Sequence, residues 1–465
     1  MNEGGVRRTG SGTAPAMAMV VLLALLSAGP PDSSMPALSR LSDSRWLGGG
    51  HPTSSRSPGR VDPPPDAVVP ETYFGMHIHR AVPQSGELTT TAWPVVRFGA
   101  WRLWDAHVAW ASLEPKRGVW DFSLLDRYVA LAESAQVEVL LPLGLSPAWA
   151  AARPKEASAY HPGNASEPAD MEAWDKYVRT VVSRYRGRIK AYEIWNEPNL
   201  PQFFSGRVEE MVRLAQTAYV RIKRLDAGAV VVSPSATGRP GVAWLESYLD
   251  AGGGRWADVI GFHFYVGQNH SPEDMAALVP RVREVVDAHG FRARPIWNTE
   301  TGWRLEGQQP APVARYRVQQ TAGLDDTLAA AYVARALVLG WAEGLERFYW
   351  YSWDNYTMGL VEADGTTLKP AAKAYGTVYK WLIGARVTDV SERLDGTWTV
   401  AVRRDKDREA VIVWNPGGVT AYSPPSLWTE AVACNVAGEC RPLSGEGTKD
   451  VVVGASPIFI ERTSR

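Results

Sequence analysis

From residue 69 onward, short apolar runs alternate with stretches in which apolar residues recur every three to four positions. The first pattern marks buried strands and the second amphipathic helices. Strand-like runs occupy residues 73–79, 95–103, 137–143, 189–196, 229–234, 258–265, 295–300 and 347–353. Helical periodicity covers 124–134, 171–185, 208–225, 275–288 and 327–343, among others. Strands that are apolar on both faces and separated by helices belong to a parallel sheet covered on both sides. Eight such units in roughly 310 residues predict an α/β fold, a TIM (β/α)8 barrel over residues 69–383. The competing open, doubly wound sheet carries a glycine-rich phosphate loop after its first strand, and none follows residues 73–79.

After Trp381 the helical period disappears. Short runs at 398–402, 410–414, 431–433 and 451–460, separated by polar turns, predict a small antiparallel, β-sandwich-like domain over 384–465, packed on the barrel. Residues 30–68 are rich in Pro, Ser, Gly and Arg and too poor in apolar surface to offset their ordering entropy, so they read as a disordered linker. Residues 1–29 place Arg7 and Arg8 before an apolar run at 16–26 and the small residues Ser27, Ala28 and Gly29, the order of a secretory signal peptide. The run is short beside the ~20 residues of a membrane span. Pro30 and Pro31 blur the cleavage site and leave an uncleaved anchor open; export, periplasmic or extracellular, is the expectation either way.

Composition narrows the partners. With 49 Lys and Arg against 50 Asp and Glu, the net charge of -1 gives no footprint for nucleic acid or an anionic membrane. Two cysteines, Cys434 and Cys440, cannot build a zinc or redox motif; they close a short loop in an oxidising compartment or stand as free thiols. No metal, cofactor or protein partner is implied. The 20 Trp and 17 Tyr fit a large core or a cleft that stacks aromatic faces on sugar rings.

Two stretches carry the chemistry. The fourth strand ends in Trp195-Asn196-Glu197-Pro198, and the seventh in Asn298-Thr299-Glu300-Thr301-Gly302-Trp303. Pro198 is expected to hold Glu197 extended and to punctuate its strand. In a barrel, polar residues at the C-terminal ends of strands form the site. Here those ends offer His77, His79, Arg102, Trp149, Asn196, Glu197, His263, Tyr265, Glu300 and Trp353. Retaining glycoside hydrolysis needs two carboxyls about 5–5.5 Å apart, and strands four and seven face each other across a barrel mouth. In that chemistry Glu300 is the nucleophile, held ionised by Arg102 and Tyr265. Glu197 is the acid/base, its pKa raised by the nearby negative charge and by aromatic cover, and Asn196 reaches the sugar 2-hydroxyl.

Asn196-Glu197-Pro198, His263-x-Tyr265 and Glu300 followed by Gly302-Trp303 resemble the retaining (β/α)8 glycoside hydrolases whose catalytic glutamates lie on strands four and seven. The chain is most similar to glycoside hydrolase family 39 and its exopolysaccharide-associated relatives. Glu114-Pro115, Trp120-Asp121-Phe122 and Ser146-Pro147-Ala148-Trp149 add to the likeness, which covers about residues 70 to 380. The resemblance implies a glycosidase acting on oligo- or polysaccharide, with Glu197 as acid/base, Glu300 as nucleophile and Asn196, His263, Tyr265 and Arg102 around them. Endo action on a bacterial exopolysaccharide is the first expectation and β-xylosidase or xylanase activity the second. A non-catalytic carbohydrate-binding barrel comes third.

Other residues are weighed against plainer roles. Glu193, four positions before Glu197, reads as a buried structural partner. His77 and His79 share one strand face and serve substrate or structure. Trp149, Trp303 and Trp353 are candidate sugar platforms, whereas Trp195 and Trp297 read as core. Asp105 and His107 could rim the cleft. Asn164-Ala165-Ser166 and Asn355-Tyr356-Thr357 match glycosylation sequons, a pattern common by chance. The long loop at 304–326 reads as a lid or subsite wall.

Overall fold

The computed structural model describes residues 67–83, 90–306, 323–404, 408–443 and 450–463. The signal-like segment, nearly all of the linker and most of the 304–326 loop lie outside the described residues. Ordered pairing starts where the apolar pattern starts: Val69 N donates to Ala385 O, and Gly384 N to Val69 O, both at 2.9 Å.

The barrel staves are β1 (Phe74–Met76), β2 (Ala100–Arg102), β3 (Glu138–Leu143) and β4 (Ala191–Ile194), then β5 in two segments (Val230–Val232 and Ala236–Thr237). They continue with β6 (Ile260–His263), β7 (Ile296–Thr301) and β8 (Leu345–Trp350). All neighbours pair in parallel, and β1 pairs with both β2 and β8. The first segment of β5 pairs with β4 and the second with β6, so the two halves of one stave close the ring. Gly75 allows the closure between β1 and β8, because a Cβ there would lie 2.5 Å from the Tyr349 ring.

Helices α1 (Trp110–Leu113), α2 (Ser123–Ser134), α3 (Met171–Tyr185), α4 (Val208–Leu225), α5 (Gly238–Asp250), α6 (Pro272–Ala288), α7 (Asp326–Ala342) and α8 (Pro370–Leu382) complete this part of the chain. The longer ones start on recognisable caps: Asp170 accepts from Glu172 N at α3, Asp325 from Leu328 N at α7, and Ser271 with Asp274 forms a capping box at α6.

Alternation along the staves sorts residues between two cores. Outward residues such as Trp101, Leu141, Tyr192 and Trp350 pack beneath the helices. Inward residues such as Ala100, Leu140, Ala191, Val232, Trp297 and Tyr349 fill the barrel floor. Trp195 and Trp297 are core, as expected.

The C-terminal part has a six-stranded antiparallel sheet and a separate pair. Its strands are β9 (Arg386–Glu392), β10 (Trp398–Arg403), β11 (Glu409–Trp414), β12 (Thr420–Tyr422), β13 (Ala431–Asn435), β14 (Cys440–Leu443), β15 (Val451–Val453) and β16 (Ile458–Arg462). Apolar periodicity gives no strand at 386–392, since β9 has no fully buried residue and sits at the sheet edge. The run at 451–460 is two strands, β15 pairing with β12 and β16 with β11 and β13. One face of the sheet packs on the barrel, with Phe459 stacked on Trp381 and Trp414 Nε1 donating to Glu273 Oε1 on α6 at 2.8 Å. Cys434 and Cys440 are joined by a disulfide across the β13–β14 hairpin, the first of the two states the sequence allows.

Candidate active site

One step up each stave from the apolar floor, the inward residues turn polar. Arg102, two positions above Ala100, is fully buried and fans its guanidinium over three partners. Nε donates to Glu193 Oε2 at 2.5 Å, Nη1 to Glu300 Oε2 at 2.7 Å and Nη2 to Asn196 Oδ1 at 2.7 Å. Burial works against this cation, and the charges of Glu193 and Glu300 hold it in place. Glu193 is the buried structural partner expected of it: its other oxygen accepts from the hydroxyls of Ser235 and Thr299.

Alternation alone would turn either Thr299 or Glu300 away from this centre. Both reach it, because the pairing of β7 with β8 shifts register between Asn298 and Thr301. Gly302 then passes so close to β8 that a Cβ would sit 2.1 Å from Tyr351 O.

Glu300 is 5% exposed and Glu197 7%, so both carboxyls touch solvent only through a narrow opening. A ligand-type atom of each, with one of His263, lies within 4.8 Å of the others. These three residues could chelate a divalent cation only by occupying both carboxylates. Their surroundings differ. Glu300 receives Arg102 on one oxygen and Tyr265 OH on the other at 3.1 Å. Glu197 Oε1 lies 3.1 Å from His263 Nδ1, and no cation contacts it among the described residues.

Burial pushes Glu197 up to about 7, against the pull of Thr237 and Arg102. Burial raises Glu300 as well; Arg102 and Tyr265 draw it back, while the charges of Glu197 and Asp105 push it further up. Two carboxyls this close share their protons, and the charge settles on Glu300, the one bonded to a guanidinium. Burial, then Arg102, holds His263 and His77 well below the usual histidine range, so both rings are neutral.

Pro198 does not hold Glu197 extended. Glu197 has φ 44 and Trp195 φ 65, both left-handed. The neighbouring stave overrides the local preference: Glu197 N donates to Ser235 O, Trp195 N to Leu143 O and Leu200 N to Glu197 O.

His77 Nε2 lies 3.1 Å from Thr299 O, and the His77 ring stands 5.0 Å from that of Tyr351. His79 turns instead to Asp354, with Nδ1 3.3 Å from Oδ1. Two of the three tryptophan platforms, Trp303 and Trp353, are not available to a sugar. Trp149 has Arg117 over its ring at 4.8 Å and donates to Glu114 O; Trp303 is wedged between Tyr332 and Trp350; Trp353 is buried in the main core. Trp303 and Trp353 are thus buried in protein, whereas Trp149 stays partly exposed with Arg117 over its ring. Asn164 and Asn355, at 2% and 5% exposure, are closed to glycosylation in the folded chain. Leu305 and Leu324 pair at the base of the long loop, whose middle, 307–322, lies outside the described residues.

Sequence reading undervalued Asp105 and missed Tyr160, Tyr351 and Thr237. Asp105 Oδ1 accepts from Tyr160 OH at 2.5 Å and Oδ2 from Tyr351 OH at 2.8 Å. The usable signal was its place three residues beyond Arg102, at the end of β2.

The comparisons agree with this architecture. The profile of Glycosyl hydrolases family 39 matches residues 93–340, just over half of the chain. Among curated proteins, a β-xylosidase of Geobacillus stearothermophilus is 24% identical over 246 residues, 48% of this chain and 46% of that protein. A β-xylosidase of Caldicellulosiruptor saccharolyticus is 27% identical over 192 residues, 38% of each chain. The chain thus spans less than half the length of these curated relatives. A solved family 39 glycoside hydrolase from Bacteroides cellulosilyticus WH2 shares the fold, with TM-score 0.64 at 19% identity, covering 79% of this chain and 76% of its own. The chain belongs to glycosyl hydrolase family 39.

Proposed function

We propose that the chain is a retaining glycoside hydrolase that cleaves O-glycosidic bonds by double displacement. The observation that carries this is the pair Glu197 and Glu300, approaching within 4.8 Å in opposite electrostatic settings. An oxygen-to-oxygen approach of that size suits the ~5–5.5 Å carboxyl separation of retaining enzymes. Glu300, anchored by Arg102 and Tyr265, attacks the anomeric carbon while Glu197 gives its proton to the departing glycosidic oxygen. The ester to Glu300 removes the negative charge beside Glu197, which then takes a proton from the water that releases the sugar. Asn196, with Oδ1 held by Arg102, presents its amide N–H to the sugar 2-hydroxyl.

The test is hydrolysis with the product anomer followed by NMR. Wild type releases product of retained configuration, while Glu197→Gln and Glu300→Gln each lose at least ~10⁴-fold in kcat. Azide restores Glu300→Ala with an inverted glycosyl azide. Full activity in either Gln variant rejects the assignment.

The proposed substrate is an exopolysaccharide cut internally by an exported enzyme. Export is supported by the signal-like N-terminus and the Cys434–Cys440 disulfide. Action on β-xylosides is the second reading, favoured by the names of the two curated relatives. Product lengths separate them: mixed oligomers from the first cuts mean endo action, monosaccharide alone means exo.

A further inference from the structure

Asp105 is the point where three parts of the barrel mouth meet. It lies in the loop after β2, Tyr160 comes from the long β3–α3 connection, and Tyr351 follows β8. Asp105 and His107 both have φ 55, a left-handed conformation uncommon for non-glycine residues but one that Asp and His adopt more readily than most. Asp105 and Tyr160 remain half-exposed, whereas Tyr351 is buried beneath them. The cluster adjoins the catalytic pair closely enough for the Asp105 charge to act on Glu300.

Hydrogen inventory decides what this wall can hold. Both phenols spend their only proton on Asp105, leaving lone pairs on Tyr160 and on the carboxylate. Behind Tyr351, His77 Nε2 faces the Thr299 carbonyl, which can only accept, so that nitrogen carries the ring proton. His77 Nδ1 is then a bare acceptor, buried and without a partner among the described residues. Arg102, the cation at Glu300, is committed to Glu193, Glu300 and Asn196. At Asp105 and Tyr160, an anion flanked by lone pairs favours a ligand that brings hydrogens and no negative charge.

We propose that Asp105, braced by Tyr160 and Tyr351, forms a sugar-binding subsite beside Glu300 that takes a hydroxyl- or ammonium-bearing unit and rejects uronic acids. The inference rests on the glycosidase reading of the site and deepens it to a substrate class. A sugar hydroxyl or ammonium donates to Asp105 and Tyr160, whereas a uronate carboxylate placed there faces their lone pairs and the charges of Asp105 and Glu300.

The test is binding rather than turnover, so it fails separately from the glycosidase reading. Xylo- and cello-oligosaccharides, chitosan oligomers and oligogalacturonides are titrated into the full chain, with intrinsic tryptophan fluorescence as readout. Wild type is expected to bind the neutral or cationic oligomers at least ~100-fold more tightly than the anionic ones, and Asp105→Asn to close that gap by ~10-fold or more. Tyr160→Phe, on an exposed loop, weakens neutral oligomers ~3- to 10-fold and keeps the bias against uronates, which serves if Asp105→Asn does not fold. Equal binding of oligogalacturonides by wild type, no binding of any oligomer, or an identical change for all oligomers in Asp105→Asn overturns the subsite. Retention of configuration in the hydrolysis assay would leave the glycosidase reading standing in each case.

Discussion

At the barrel floor, Leu140, Ala191, Trp297 and Tyr349 fill the interior with hydrocarbon and rings. One step up the same staves stand Arg102, Glu193, Ser235 and Thr299, joined by hydrogen bonds and equally sealed from water. The two layers are neighbours, are built on the same strands and are equally buried, yet they draw on different physics. The floor gains free energy from every methylene it hides. The polar layer loses hydration that its internal bonds only restore, and it holds together as long as each charge keeps its partner. The comparison teaches that burial alone does not identify a stabilising core: the floor holds the barrel, and the layer above uses that rigidity to place Glu300 and Asn196.

Arg102→Met breaks the polar layer most severely. It strands Glu193 and Glu300 as buried carboxyls without a cation, so stability in urea should fall by about 3–5 kcal/mol. kcat should fall about 1,000-fold with the loss of the group that anchors Glu300. Adding Glu193→Leu sharpens the contrast, since an apolar pair of similar volume should restore much of the stability and none of the activity. Recovery of activity in that double variant would show that the polar layer serves stability rather than chemistry.

Leu140→Ala tests the floor. Leu140 is fully buried, and truncation should cost about 2–5 kcal/mol by urea denaturation. With the layer above intact, kcat at 25 °C should stay within about 3-fold of wild type. A loss of kcat in proportion to stability would show that the two layers move as one.

How far these layers were legible in the sequence follows the same divide. Alternation along single strands was enough for the floor, for Trp297 as core and for the eight staves, because each strand reports its own faces. It also ranked Arg102, Glu197 and Glu300, which stand at strand ends. It could not show that β7 shifts register to bring Thr299 and Glu300 inward together, or that Ser235 pulls Glu197 into a left-handed conformation, since both depend on the neighbouring stave. Trp303 and Trp353 failed as platforms for a related reason: a ring beside a strand end can turn into the core or out to the cleft, and its neighbours decide. Asp105 was undervalued because its partners, Tyr160 and Tyr351, are distant in sequence and meet it only in the fold.

The next contrast is a titration. Glu197 is raised from the usual 4.5 to about 7 by burial, so the folded chain binds this proton more tightly than the unfolded chain. The sign is fixed: its favourable contribution is complete below about pH 4.5 and is lost as pH rises through 7, on the order of 3 kcal/mol in all. The neutral buried histidines His77 and His263 act oppositely, favouring the fold as pH rises through 6.5, but they are common to wild type and Glu197→Gln. The difference between the two stability curves should therefore narrow from pH 8 to 5. The basic limb of wild-type kcat should fall near pH 7, where Glu197 loses the proton it donates. A flat difference curve would place the shared proton on Glu300.

The smallest expected effect lies in the C-terminal sheet. The Cys434–Cys440 disulfide closes only a short hairpin, so its removal frees little chain entropy, about 2 kcal/mol or less in Cys434→Ser with Cys440→Ser. The strand pairs that flank it, Ala431 with Leu443 on β14 and Ala433 with Ile460 on β16, do not depend on the sulfurs. Phe459 on Trp381 and Trp414 on Glu273 join the sheet to the barrel from strands other than the hairpin's own, while the hairpin turn reaches the barrel through Val436 and Gly438, beside Thr377 on α8. Proteolysis should therefore quicken at the β13–β14 turn while kcat is unchanged. If kcat instead fell with the disulfide, the contact between sheet and barrel would have to reach the polar layer through α6, and the floor would no longer be the part that holds the site rigid.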